Sequence, residues 1–318
     1  MNTTRALIES ALLTAIAVVL VLVSIYVPIF YFIGLFMWPL PIALIQIKHG
    51  YKYSFISLIA TTIIVLLFTD PYTALGFAIT NGILGIVLGI MIKRKESAIN
   101  TIFVMIIINI ISVTISIKIF GLIAGQDYIK LILDEFYNSI DTAKSFYEKL
   151  GIQKDLYENA LKSIPPKEML MMLIPFAIFS HGFISAMITY ILAKNIYSRF
   201  GIELDDIPKF SNWYIPIKLA ISIMFIVLIG YIASYFKIKN ADAILLNSMY
   251  LMLVVFAVNG LAALSFWFDK QGISKSLKVV LLVFAFVFLG NILFLIGVAD
   301  YSLNLRKLDK SRIRHSPK

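Results

Sequence analysis

The chain has 318 residues, of which 60 % are apolar and 14 % are charged, and its net charge is +10. An average soluble domain is roughly half apolar and about a quarter charged. This composition therefore excludes soluble enzymes and disordered adaptors, and it predicts an all-α protein that crosses a lipid bilayer several times. The chain has no cysteine, which excludes disulfide frameworks and thiolate metal sites. Its basic residues form no separate domain, so nucleic acid is not an expected partner, and basic cytoplasmic loops explain the charge.

Nine apolar segments approach the length that crosses about 30 Å of hydrocarbon. In chain order they are Ala6–Ile29, Ile33–Ile47, Tyr51–Phe68, Tyr72–Ile92, Ile99–Ile123, Met169–Leu192, Trp213–Phe236, Ala243–Phe268 and Leu277–Val298. The second is short and contains Pro39 and Pro41, which are typical of a helix that starts late or kinks. We therefore expect about nine spans, with eight as the alternative.

The positions of the basic residues predict the orientation in the membrane. An N-terminus in the cytoplasm places Lys48, Lys93 and Lys194 inside and the segment 126–168, which has a net charge of −2, outside. This agrees with the rule that cytoplasmic loops are enriched in lysine and arginine. Nine crossings would place the basic tail 299–318 outside against that rule, so the side of the tail stays open.

The segment 126–168 is predicted to be helical. Apolar residues recur there at three- and four-residue steps from Ile129 to Leu150, which is typical of an amphipathic helix. The helix is either a lid over an outward-facing cavity or an element that lies on the bilayer surface.

Polar side chains within apolar spans are the candidate binding groups, because burial in lipid is costly. Asn81, Asn109 and His181 lie in the fourth, fifth and sixth predicted spans and could converge on a ligand, and Trp38 could stack on it. Interhelical hydrogen bonds and an interfacial anchor are the alternatives. Small residues that allow close helix contact, either within the bundle or with a partner, are Ala11, Ala15, Gly82, Gly85 and Gly89.

Several motifs carry a resemblance to a known family over nearly the whole length. The chain resembles the YybS-like family of bacterial integral membrane proteins in five segments. They are the opening run from Thr4 to Ala17, Trp38-Pro39-Leu40-Pro41-Ile42, His49-Gly50-Tyr51, Asn81-Gly82-Ile83-Leu84-Gly85 and Pro208-x-Phe210-x-x-Trp213. The first six helices of that family are similar to the substrate-binding (S) components of energy-coupling factor (ECF) transporters.

The resemblance implies a domain organisation. Residues 1–125 and 169–200 would form an S-component-like six-helix bundle, with 126–168 as an extracytoplasmic insertion. A cytoplasmic linker at 201–212, further transmembrane helices at 213–298 and the basic tail at 299–318 would follow. It also implies docking of Ala11 and Ala15 on an ECF-type coupling subunit with its ATPases, or on other membrane proteins.

The leading hypothesis is a multi-pass protein of the bacterial cell membrane that binds or transports a small molecule, as an S component does. The chain contains no G-x-x-x-x-G-K-[ST] phosphate loop, so it has no ATPase motif of its own. No catalytic pair, metal site or cofactor motif is evident, and we do not expect an enzyme. The alternative is a membrane scaffold or assembly protein that recruits envelope partners.

Overall fold

The computed structural model describes residues 3–150 and 161–309, and the predictions made for 151–160 and 310–318 lie outside the described residues. These described ranges are helical and contain no β-strand. Two compact units follow one another along the chain, Met1–Asp206 and Ile207–Lys318. The division falls inside the predicted linker, residues 201–212.

The first unit contains ten described helices. They are α1 (Thr3–Tyr26), α2 (Tyr31–Met37), α3 (Pro39–His49), α4 (Tyr51–Leu66), α5 (Pro71–Phe77), α6 (Ile83–Lys93), α7 (Ala98–Ala124), α8 (Tyr128–Lys149), α9 (Lys167–Met172) and α10 (Ile174–Tyr197). A π-helical stretch, Ala78–Gly82, joins α5 to α6. The span Pro71–Lys93 is thus one continuous helix with a wider turn at its centre.

The second unit contains four long helices. They are α11 (Ile217–Tyr235), α12 (Ala241–Lys270), α13 (Lys275–Phe288) and α14 (Gly290–Leu303). Short 3-10 turns lie elsewhere in the chain, one of them at Phe210–Asn212 before α11.

Among the described residues, six helices are long and apolar enough to cross a membrane, or seven if the bent pair α13 and α14 counts as one span. The predicted number of nine is therefore not confirmed. The second predicted span is interrupted at Trp38, directly before Pro39, and α4 is a shorter apolar helix of 16 residues. The last predicted span bends by 106° at Leu289.

Helix ends in the first unit follow from their capping residues. Asp70 accepts a hydrogen bond from the backbone of Thr73 and precedes Pro71, which suits the first position of a helix. Asp127 caps α8 in the same way by accepting from two backbone N–H groups. Gly125 ends α7 with a φ of +67°, a left-handed conformation that glycine adopts without steric cost.

Close backbone contact holds α6 against α3. A methyl group added at Gly85 would lie 2.4 Å from the carbonyl oxygen of Pro39, and one added at Gly89 would lie 2.6 Å from that of Ala43. Gly82 similarly lies against the side chains of Leu58 and Trp38. These three glycines therefore serve packing within the first unit, in the manner of small residues between transmembrane helices.

A similar contact joins α14 to α12 in the second unit. A methyl group at Gly297 would lie 1.8 Å from the carbonyl oxygen of Phe256, and one at Gly260 would lie 2.0 Å from that of Leu293. No side chain fits between the two backbones at this crossing.

A buried ion pair lies beside that crossing. Arg306 donates through Nη2 to the Oδ2 of Asp300 at 2.8 Å and to the Oδ1 of Asn259 at 2.9 Å. Its Nη1 donates to the carbonyl oxygen of Ser211 at 2.8 Å. Asn259 also donates to Asp300, at 3.1 Å. The charged groups therefore satisfy one another by hydrogen bonding, as burial requires.

Candidate functional site

The first unit contains a cavity of about 690 Å³ at one end of its helices. Side chains from the end of α1, from α2, α5, the π-helical stretch, α7, α10 and the first turn of α8 line this cavity. Its polar wall includes Asn81, Ser116 and His181, and its aromatic wall includes Tyr72, Phe120 and Tyr128. The volume falls within the range typical of small-molecule sites.

Asn81 reaches the cavity from the π-helical stretch of its span. The extra residue in such a turn redirects side chains, and π-helical turns occur frequently at functional sites. Its Nδ2 donates to the hydroxyl of Thr80 at 3.0 Å. Its Oδ1 is buried and has no hydrogen-bond partner among the described residues.

His181 joins α10 to α7 beside the cavity. Its Nδ1 lies 2.9 Å from the Oδ1 of Asn109, which is fully buried. An amide oxygen only accepts hydrogen bonds, so Nδ1 carries the proton in this pair and Nε2 of the neutral ring remains an acceptor. Asn109 does not itself line the cavity; it orients the histidine that does.

Two further polar atoms near the cavity are buried without a partner in the described chain. They are the Nδ2 of Asn109 and the Oγ of Ser116. With the Oδ1 of Asn81, three buried groups on two spans lack the hydrogen bonds that such groups require.

Trp38 lies outside the set of residues that line the cavity. It is 1 % exposed, and its ring packs 6.3 Å from that of Phe77, which does line the cavity. The structure thus brings Asn81, Asn109 and His181 to one site and places Trp38 one layer behind it.

The aromatic wall was not foreseen from the sequence. The rings of Tyr72 and Tyr128 are nearly parallel, with centroids 6.0 Å apart, and Phe120 meets each of them edge-on at 5.5 and 5.1 Å. Each of these residues lies close to a helix end, two of them just after the capping residues Asp70 and Asp127. Cap positions are recognisable in a sequence, and they would have located two of the three rings.

An acidic group lies next to this wall, outside the membrane-spanning segments. The Thr73 hydroxyl and backbone N–H groups that donate to Asp70 hold the pKa of its carboxyl below the usual value. Burial raises the pKa of the Tyr128 hydroxyl, and the negative charge of Asp70 adds to that effect. Asp70 is therefore a carboxylate at neutral pH, and its field reaches the aromatic wall.

The two predicted seam residues of α1 do not pack within the unit. Ala11 and Ala15 are exposed on the outer face of α1, whereas Ala17 is fully buried. The five predicted seam residues thus divide into an internal group, the three glycines, and an exposed pair on α1.

The described part of the chain holds no group of three metal-ligating side chains.

Comparison with known proteins identifies relatives of the chain. Residues 15–301 match the family model described as "Predicted membrane protein (DUF2232)". The "Uncharacterized protein YybS" of Bacillus subtilis (strain 168) is 26 % identical over 310 residues, which cover 96 % of this chain and 99 % of the relative. No solved structure matches the chain with significance, so the likeness of its first helices to S components stays a prediction. With its apolar spans and a family match over nearly all of its length, the chain is an integral membrane protein that belongs to the DUF2232, YybS-like family.

Proposed function

We propose that this protein binds a small molecule in the cavity of its first unit, as a binding or transport component without an ATPase of its own. The observation that carries the proposal is the convergence of polar groups in a membrane bundle. Asn81, Ser116 and His181 come from three different spans and line one cavity, and two of them hold buried atoms without a partner. Such groups are costly in a membrane interior unless something pairs with them.

The distribution of charge supports an outward-facing cavity. Arg5 lies at the end of α1 opposite to Ile25, which lines the cavity. Lys93 likewise ends the span Pro71–Lys93, whose first turn contributes Tyr72 and Thr73 to the cavity wall. Since basic loops stay in the cytoplasm, we propose that the N-terminus is cytoplasmic, in a bacterial cell membrane, and that the cavity opens on the other side.

Thermal unfolding of the purified full-length protein tests the proposal, with and without an extract of small metabolites. We expect the extract to raise the melting temperature of the parent protein. Asn81→Leu removes a cavity group and should abolish the shift. Asn247→Leu is the matched control, because Asn247 lies in a span of the second unit and bonds within its own helix; it should keep the shift. A parent protein that no extract stabilises would contradict the proposal.

A specific observation also favours the alternative role as a membrane scaffold or assembly protein. Ala11 and Ala15 are exposed on α1, and the apolar residues Ile132, Phe136 and Phe146 are exposed on α8. Native mass spectrometry of the gently purified protein separates the two roles. A bound small molecule supports the binding role, whereas a stoichiometric membrane partner without one supports the scaffold.

A further inference from the structure

We infer that the cavity takes an organic cation, of the class of protonated amines carried on a ring. This inference deepens the proposed function and rests on it. Three properties of the cavity lead to it: its charge, its aromatic faces and its hydrogen-bond acceptors.

No described residue that lines the cavity carries a positive charge that could neutralise a bound anion. Among the described residues that line it, none is lysine or arginine. A carboxylate or phosphate entering the cavity would lose its hydration without gaining a counter-charge, which is costly in a low-dielectric site. Charged groups next to the cavity include the carboxylates of Asp70, beside Tyr72 and Thr73 on α5, and of Asp127, beside Tyr128. They also include the ammonium group of Lys118, which lines a neighbouring pocket, so carboxylates outnumber ammonium groups among them. A negative charge at a cavity wall attracts cations and raises their local concentration.

The aromatic wall provides a surface that attracts positive charge. The face of an aromatic ring carries a negative quadrupole, and cations bind over it within about 6 Å. Tyr72, Phe120 and Tyr128 form a continuous wall of three rings, with centroids 5.1 to 6.0 Å apart. The same faces accept a flat or apolar ring system by stacking.

The polar wall offers acceptors. Nε2 of His181 is an acceptor because Nδ1 donates to Asn109, and the Oδ1 of Asn81 is an acceptor without a partner. An ammonium group has only donors to offer, so these two atoms match it. A carboxylate oxygen only accepts hydrogen bonds and would gain none from these two atoms.

Matched probes that share one ring test the class of ligand. Binding of 2-phenylethylamine, 2-phenylethanol and phenylacetate to the full-length protein in lipid nanodiscs is measured by calorimetry. We expect the amine to bind about tenfold more tightly than the alcohol, as a cation–π contact implies, and phenylacetate to bind least. Phenylacetate binding as tightly as the amine, or no preference among the three, would overturn the inference.

Asp70→Asn isolates the charge, because asparagine caps a helix as well as aspartate does. This variant should bind the amine about threefold more weakly and leave phenylethanol binding unchanged. An unchanged affinity for the amine would contradict the role given to Asp70.

Ion-exchange fractions of the metabolite extract distinguish this inference from the proposed function. Stabilisation of the parent protein by the cationic fraction alone supports both. Stabilisation by the anionic or neutral fraction overturns the cation class and leaves the proposed function in place. Stabilisation by no fraction contradicts the proposed function itself.

Discussion

At the scale of single residues, the contact between His181 and Asn109 can be interpreted in two ways. It joins α7 to α10, and it also orients a histidine that lines the cavity. A hydrogen bond between helices in a bilayer contributes on the order of 1 kcal/mol. A ligand contact adds a second effect, which only a bound molecule reveals.

A double-mutant cycle on this pair separates the two effects. His181→Leu and Asn109→Leu should each lower the free energy of unfolding in bicelles by about 1 kcal/mol, and the double variant should cost less than their sum. His181→Leu and the double variant should also lose the stabilisation that metabolites confer through Nε2, whereas Asn109→Leu, which removes only the group that orients the ring, should weaken it. Additive costs would show that the two side chains do not interact.

The sequence revealed the polar part of this site but not the aromatic part. Asn81, Asn109 and His181 stand out because a polar side chain in an apolar span is rare and costly. Phe120 does not stand out, since phenylalanine is common in lipid-facing and packed positions alike. The direction in which a ring points depends on helix rotation and packing, which a single sequence does not encode locally. Trp38 was expected near the ligand, and it instead packs behind Phe77.

At the scale of helices, the crossing of α12 and α14 depends on the absence of side chains. At Gly297 and at Gly260, a carbonyl oxygen of the other helix occupies the space that an added methyl group would need. The last predicted span, Leu277–Val298, is predicted as one crossing because its residues are apolar apart from Lys278, Asn291 and two glycines. The helix breaks between Leu289 and Gly290 because of their backbone conformation. Neither residue is polar, so a hydropathy profile could not locate the bend.

Substitution of Gly297 by alanine should destabilise the second unit. The added methyl group meets the Phe256 carbonyl oxygen at 1.8 Å, so the helices must separate, at a cost on the order of 1–3 kcal/mol or more. Gly290→Ala is the matched control, because nothing lies within 4 Å of the added group there. Thermal unfolding followed by circular dichroism checks both variants. Equal melting temperatures for the two would refute the close crossing.

The exposed pair on α1 gives a second expectation at this scale. Ala11→Leu with Ala15→Leu adds bulk on the outer face and should change stability by less than about 0.5 kcal/mol. Ala17→Leu adds the same bulk at a buried position and should cost about 1–3 kcal/mol. If the outer face docks on a partner, the double variant alone loses the membrane protein that co-purifies with the parent. Destabilisation by the double variant would place the pair in an internal contact.

At the scale of the whole molecule, the composition was sufficient for the class of protein and insufficient for the number of spans. A 60 % apolar chain must be helical in a bilayer, because every backbone group needs an internal partner there. The number of crossings depends on short helices such as α2, α3 and α4, whose lengths fall near or below the limit for spanning. Capping residues and prolines set those lengths. The apolar pattern continues across these positions and therefore does not show where the helices end.

The orientation of the first unit is testable because the chain has no native cysteine. Single cysteines at the exposed positions Lys93 and Ser145 should differ in their access to a membrane-impermeant maleimide added to intact cells. The positive-inside rule predicts labelling at 145 and protection at 93 until the cells are opened. Labelling at 93 alone would invert the proposed orientation.

The ion pair between Asp300 and Arg306 has a consequence for synthesis of the protein. The carboxylate of Asp300 is buried, and its cation comes six residues later in the chain. We therefore expect the second unit to close only after Arg306 has been synthesised, because a nascent chain halted earlier carries an uncompensated charge. A stop codon in place of Leu305 should produce a chain that membrane proteases remove, whereas one in place of Lys310 should produce a chain that accumulates. Pulse-chase labelling checks this, and equal lifetimes would mean that Arg306 is dispensable for quality control.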